Sequence, residues 1–154
     1  MRFLALCPCD RVIFDRNGTL SLITIMENFD LSVQTASGEK VDIPPTTVVP
    51  RDWSIYGRWE ASESDDGMTF EQVFEIYWPN GDKFVESRMT MQTIRKEDPT
   101  QQTALQLMGF PVGQVGRIKI VTWIEHDKQR MIDPIECTVR VRHVPMPERV
   151  VMKQ

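Results

Sequence analysis

The chain has no surplus of positive charge. Its 18 Lys+Arg stand against 22 Asp+Glu in 154 residues, a formal net charge of -4 with a pI near 5.2. The basic footprint by which proteins hold nucleic-acid phosphates is therefore missing, and no nucleic-acid partner is expected. Long apolar runs are missing too. No stretch approaches the roughly 18–20 residues of a spanning helix. The apolar start at residues 3–7 stops at Pro8 and Asp10, short of the roughly 7–15 residues of a secretory h-region. The expectation is a cytoplasmic protein without membrane insertion.

Chemistry-bearing residues are scarce as well. The 8 glycines are scattered, with no GxxxxGK[ST] or GxGxxG among them, which excludes the usual phosphate-loop chemistries. GxSxG and HExxH are absent, and the histidines are His126 and His143 alone. Both fall beside charged residues and read as solvated side chains. Cys137 and His143 share one predicted strand, where six residues place them roughly 20 Å apart, too far for a nucleophile–base dyad. The 3 cysteines are Cys7, Cys9 and Cys137. With the two histidines they could just supply the four N/S ligands of zinc, but their spacing matches no finger or ribbon. They read as buried thiols serving as small apolar side chains. No cofactor, metal centre or catalytic residue is expected.

What is present is alternation. Hydrophobic residues make up 41% and charged ones 26%, an ordinary balance for one globular domain. The apolar stretches are short, β-branched or aromatic, and bounded by turn residues, as strands are. Residues 2–6 and 10–14 come first. A tight Asn17-Gly18 turn follows, suited to the positive φ of a hairpin, and leads into 19–25. Residues 26–50 are rich in breakers and read as a long connection, although Phe29, Leu31 and Val33 alternate as an edge strand would. Strands are then predicted at 52–61, 68–78, 83–94, 104–110, 117–125 and 135–143, with a bulge near Val73 and a turn of helix at 98–107. The sum is an all-β, antiparallel two-sheet β-sandwich of about eight strands, immunoglobulin-like or C2-like. It fills residues 1–143 and leaves a tail at 144–154 that is mobile or packed along an edge.

Cys9-Asp10, Val12, Asp15, Gly18, Leu20-Ser21-Leu22-Ile23 and Ile25, together with Phe110-Pro111, Gly113 and Gly116, resemble the pattern of a poorly characterised family of small bacterial β-sandwich proteins. The resemblance spans most of the chain and consists of turn glycines and alternating strands. It implies the fold and carries no activity or catalytic residue. This chain departs from the pattern at Gly116-Arg117-Ile118, where an aromatic residue is expected after the glycine.

Two sets of residues remain as candidate binding groups. If strands alternate direction, the turns holding Asp15, Asp65, Asp66, Asp98 and Asp127 gather at one end of the sandwich, and clustered carboxylates are what a hard cation needs. Asp is also a turn former in its own right, and Arg16, Lys96 and Lys128 share those turns. Aromatic rings concentrate binding energy, and Trp53 and Trp78, at predicted strand ends beside prolines, are expected to be partly exposed. Trp59 and Trp123 are expected in the core. Nine methionines, among them Met89, Met91, Met131, Met146 and Met152, suit adaptable packing surfaces, and open strand edges invite a homodimer. The reading is a non-enzymatic protein-binding or assembly module. The alternative is a calcium- or ligand-binding C2-like domain that uses Asp65, Asp66 and Asp127. An enzyme would require two of the rim carboxylates to converge in one pocket with separated pKa values.

Overall fold

The computed structural model describes residues 1–16, 19–35 and 37–145. Its elements are β1 (Arg2–Phe14), β2 (Leu20–Ile25), β3 (Asn28–Ser32), β4 (Val48–Glu60), a 3-10 turn (Glu63–Asp65), β5 (Glu71–Tyr77), β6 (Lys83–Thr90), β7 (Thr100–Pro111), β8 (Gly116–His126), β9 (Gln129–Arg130) and β10 (Ile135–Val144). They build a four-stranded sheet in the order β2-β1-β4-β7 and a six-stranded sheet in the order β3-β10-β8-β5-β6, with β9 paired to β8. We call these the small and the large sheet. None of the helices among the described residues is long and apolar enough to cross a membrane.

The two-sheet, all-β expectation holds, and its details change. Among the described residues there are ten strands rather than about eight, because the breaker-rich connection contains β3 and the turn after β8 carries the two-residue β9. Residues 2–6 and 10–14 form one strand, β1, with a register shift between Phe3 and Ala5. The pairing is not wholly antiparallel, since β3 runs parallel to β10 at the edge of the large sheet. The expected helical turn at 98–107 is strand instead. Pairing with β4 from Val48↔Pro111 to Glu60↔Thr100 overrides the weak local preference. β1 and β2 pair as the hairpin reading requires, through Phe14↔Leu20. The turn residues Asn17 and Gly18, and the tail residues Met146, Pro147 and Met152, lie outside the described residues.

Side chains on a strand alternate between faces, so register decides what is buried. On β4, Trp53, Ile55, Gly57 and Trp59 face the large sheet. Trp53 and Ile55 join Phe74, Ile76, Phe110, Ile118, Ile120, Val139 and Val141 in one cluster. Trp59 joins Phe70, Met91, Ile94 and Ile124 in another. Each such fully buried side chain contributes about 1.5–3 kcal/mol. Between the clusters four strands change character. Gly57, Thr103, Gln72 and Thr122 occupy the intervening inward positions of β4, β7, β5 and β8, and Gln72 and Thr122 are completely buried.

There Thr103 Oγ1 donates to Gln72 Oε1 at 2.5 Å, Gln72 Nε2 donates to Thr122 Oγ1 at 3.0 Å, and Thr122 Oγ1 donates to Val73 O at 2.7 Å. The chain of bonds runs from one sheet to the other through the core. Gly57 makes room for it. A Cβ at that position would stand 2.7 Å from Thr103 Oγ1 and 2.9 Å from Gln72 Nε2.

Candidate functional site

Trp53 and Trp78 are both buried, not partly exposed as their neighbouring prolines suggested. β4 continues past Pro50 to Val48, so Trp53 is not at a strand end. Its indole donates to Gly109 O at 3.0 Å and meets Phe110 edge-on at 5.1 Å. Trp78 follows β5, closes the turn through Gly81 N–H, which donates to its carbonyl at 2.9 Å, and packs edge-on against Phe84. Trp59 and Trp123 are buried as expected.

The carboxylates divide among separate tasks. Antiparallel pairing carries the turns at 62–67, 95–99 and 126–128 to one end of the sandwich, through Arg2↔Glu60, Glu60↔Thr100 and Glu71↔Glu125. Asp15 follows Phe14, at the opposite end of β1, so it never joins them. Asp65 is buried and turned inward. It accepts from the Ser62 N–H at 2.7 Å and the Ser62 hydroxyl at 2.6 Å, with the Met1 ammonium at 3.1 Å. Burial works against its charge, but the Ser62 bonds outweigh that and hold its pKa below the ordinary value. Asp66 accepts from the Lys96 N–H at 2.9 Å. Asp127 opens the β8–β9 hairpin with a positive φ of 49°, and its side chain is 90% exposed, 3.6 Å from His126 Nε2. Among the described residues no three of His, Cys, Asp or Glu form a set that could hold a metal ion.

Cys9, Cys137 and both imidazoles are likewise occupied or inert. Burial, then the neighbouring Cys7, pushes Cys9 up to about 11, and burial pushes Cys137 up to about 12. Both stay protonated near neutrality and are poor nucleophiles. His143 Nε2 lies 2.7 Å from Val112 O and His126 Nδ1 lies 2.9 Å from Thr69 O. Those carbonyls can only accept, so each of these nitrogens carries the proton.

What the structure does single out is a difference between its outer faces. On the large sheet, Glu75 takes Lys83 and the Tyr77 hydroxyl, and Lys83 reaches Glu86 at 2.9 Å. Arg88 joins Glu125 at 2.7 Å, and Arg142 clasps Asp30 at 2.6 and 2.8 Å. Even the outward Trp123 is finished. Its N–H donates to Glu125 at 2.7 Å, and the Arg130 guanidinium sits 4.6 Å above its ring.

The small sheet is not closed in this way. Every exposed large hydrophobic residue that lies on a described strand belongs to it: Leu4, Ile13, Phe14, Ile23, Ile25, Val48 and Met108. Register places Ile23, Ile25 and Met108 on the outward side with Arg11, Cys9 and Asp52, opposite the core. There Ile23 lines a depression of about 790 Å³ together with Arg11, Asp52, Ser54, Ala104, Gln106 and the Asp10–Arg51 ion pair. Met108 is 86% exposed. The sequence reading overlooked these residues. The signal available for them was the absence of any charge from β2 and β7. No protein-family model and no curated protein matches the chain, so its function has to be read from these surfaces.

Proposed function

We propose that the protein is a non-enzymatic protein-binding module, a cytoplasmic scaffold of immunoglobulin-like build that receives a protein partner on the outer face of its small sheet. The observation that carries this reading is the confinement of strand-borne exposed hydrophobics to that sheet. Apolar side chains left in water on one face mark protein interaction sites. Around it, Arg11, Asp52, Ser54, Gln106 and the Asp10–Arg51 pair offer polar groups that orient a docked chain. Three free cysteines accord with a reducing compartment. The family resemblance belongs to the same proposal and supplies a scaffold without an activity.

The test is a comparison of Ile23→Lys/Ile25→Lys with the unaltered protein, both immobilised and exposed to lysate of the source cells. Both side chains are solvent-exposed, at 44% and 56%, so the urea unfolding midpoint stays within about 0.5 kcal/mol of the parent. A defined protein held by the parent and lost from the variant is the expected result. Equal retention by both would overturn the reading.

A further inference from the structure

The small sheet also differs from the large one at its margins. A terminal strand presents unpaired N–H and C=O groups that a second chain can satisfy, and proteins guard such margins with charge, proline, short length or a kink. The large sheet is guarded on both sides. β6 carries Lys83, Glu86 and Arg88, and β3 is five residues long and holds Asp30 in its pair with Arg142. On the small sheet, β2 is six residues long and is interrupted at Thr24, whose φ of 52° lies in the left-handed region.

β7 has none of these protections along most of its length. It spans 12 residues, Thr-Gln-Gln-Thr-Ala-Leu-Gln-Leu-Met-Gly-Phe-Pro, without one charged side chain, and among the described residues β4 is its only strand neighbour. Proline arrives at the last position, and the kink at Gly109, with a φ of 85°, comes just before it. Residues 100–108 therefore form a regular open margin about 30 Å long.

Resting on the protein-binding reading above, we infer that the occupant of this margin is a second copy of the chain, with β7 paired antiparallel to β7 about a two-fold axis. Charge argues for self-pairing. Like charges directly opposite one another are destabilising, and a neutral strand meets its own copy without any. The side chains complement themselves as well. With Gln106 opposite Gln106 at the axis, residues 104–108 pair with their own copies and stop short of the Gly109 kink; the outward Ala104 faces Met108, so the smallest and the most exposed side chains fill each other's space. On the inward side Leu105 faces Leu107. Both pack against the main core but are only partly buried in one copy, and the pairing covers them. The two Gln106 amides each hold a donor and an acceptor and can bond across the axis. The interface is isologous, so it closes as a dimer and does not propagate.

Light scattering during size-exclusion chromatography at high micromolar concentration tests this, using the full chain. The parent is expected at twice 17.9 kDa. Gln106→Lys sets two ammonium groups against each other at the axis and is expected to return the monomer mass, with circular dichroism and unfolding midpoint unchanged because Gln106 is exposed. Thr90→Lys, at an exposed position of the β6 margin, is expected to stay dimeric. A monomeric parent, or a Gln106→Lys protein that remains dimeric, overturns the edge pairing. Neither result touches the outer-face reading, which stands or falls on the Ile23→Lys/Ile25→Lys comparison.

Discussion

The two sheets bury one core between them, yet they meet the solvent differently. The large sheet satisfies its outward groups from within. Its glutamates hold lysine, arginine, tyrosine and tryptophan donors, and Arg130 covers the Trp123 ring. The small sheet leaves Ile23, Ile25 and Met108 in water and residues 100–108 of β7 unguarded. A face that completes its own hydrogen bonds has little left to offer a partner, whereas incompletely covered apolar area is what association removes from water. The contrast is the basis on which interaction is proposed for the small sheet.

The largest effect on this contrast comes from unfixing the sheets from each other. Gly57→Ala drives a methyl group into Thr103 and Gln72, both buried, and neither can retreat without breaking a bond that joins the sheets. Overpacking of this kind costs about 1–3 kcal/mol, and urea denaturation should place the variant near the top of that range. An unchanged midpoint would mean that the polar layer tolerates displacement. Next is Glu125→Ala, which strips the large sheet of the acceptor shared by Trp123 and Arg88. Leaving a mostly buried indole N–H unpaired costs about 1–3 kcal/mol. A loss below about 0.5 kcal/mol by the same measurement would show that the ion-pair lattice is ornamental.

Acid gives the smallest and most graded test. Hydrogen bonds from Trp123 and then Arg88 hold Glu125 below the ordinary glutamate value, against burial. At Glu75, burial raises the pKa but the Lys83 and Tyr77 bonds prevail and hold it low. Groups depressed in the folded state stabilise it above their unfolded pKa and lose that contribution as pH falls through the folded values. Stability should therefore decline as pH drops below the ordinary value of 4.5, and Glu75→Gln/Glu125→Gln should flatten the decline. Superimposable pH profiles for parent and variant would remove these two carboxylates from the account.

Much of the fold was legible because period-2 alternation is a local property. The run at 135–143 foretold β10, and its Val139 and Val141 are fully buried. The Ile55–Gly57–Trp59 alternation foretold the inward face of β4, and the same parity extended back two residues would have placed Trp53 in the core. The nearby proline misled, since the strand runs through it. Strand order was not legible, because pairing between distant segments leaves no mark within either one. That is why Asp15 was assigned to the wrong end and why β3 was not foreseen as β10's parallel neighbour. The outer face was harder still. Leu20 and Leu22 alternate with Ser21 and Ile23, so both sides of β2 are largely apolar, and only register tells which side is wet. The missing charges in β2 and β7 were visible, but their meaning depends on both strands being terminal in the same sheet.

The bonds linking Gln72 with Thr103 and Thr122 act as a key in a lock between two plates. Apolar surfaces alone would let the plates slip by a side-chain repeat at modest cost, whereas slippage here would strand an amide and two hydroxyls in a dry interior. Alignment is thereby specified from the inside. Substitutions on the wet face and margins of the small sheet then leave the alignment of the sandwich beneath untouched.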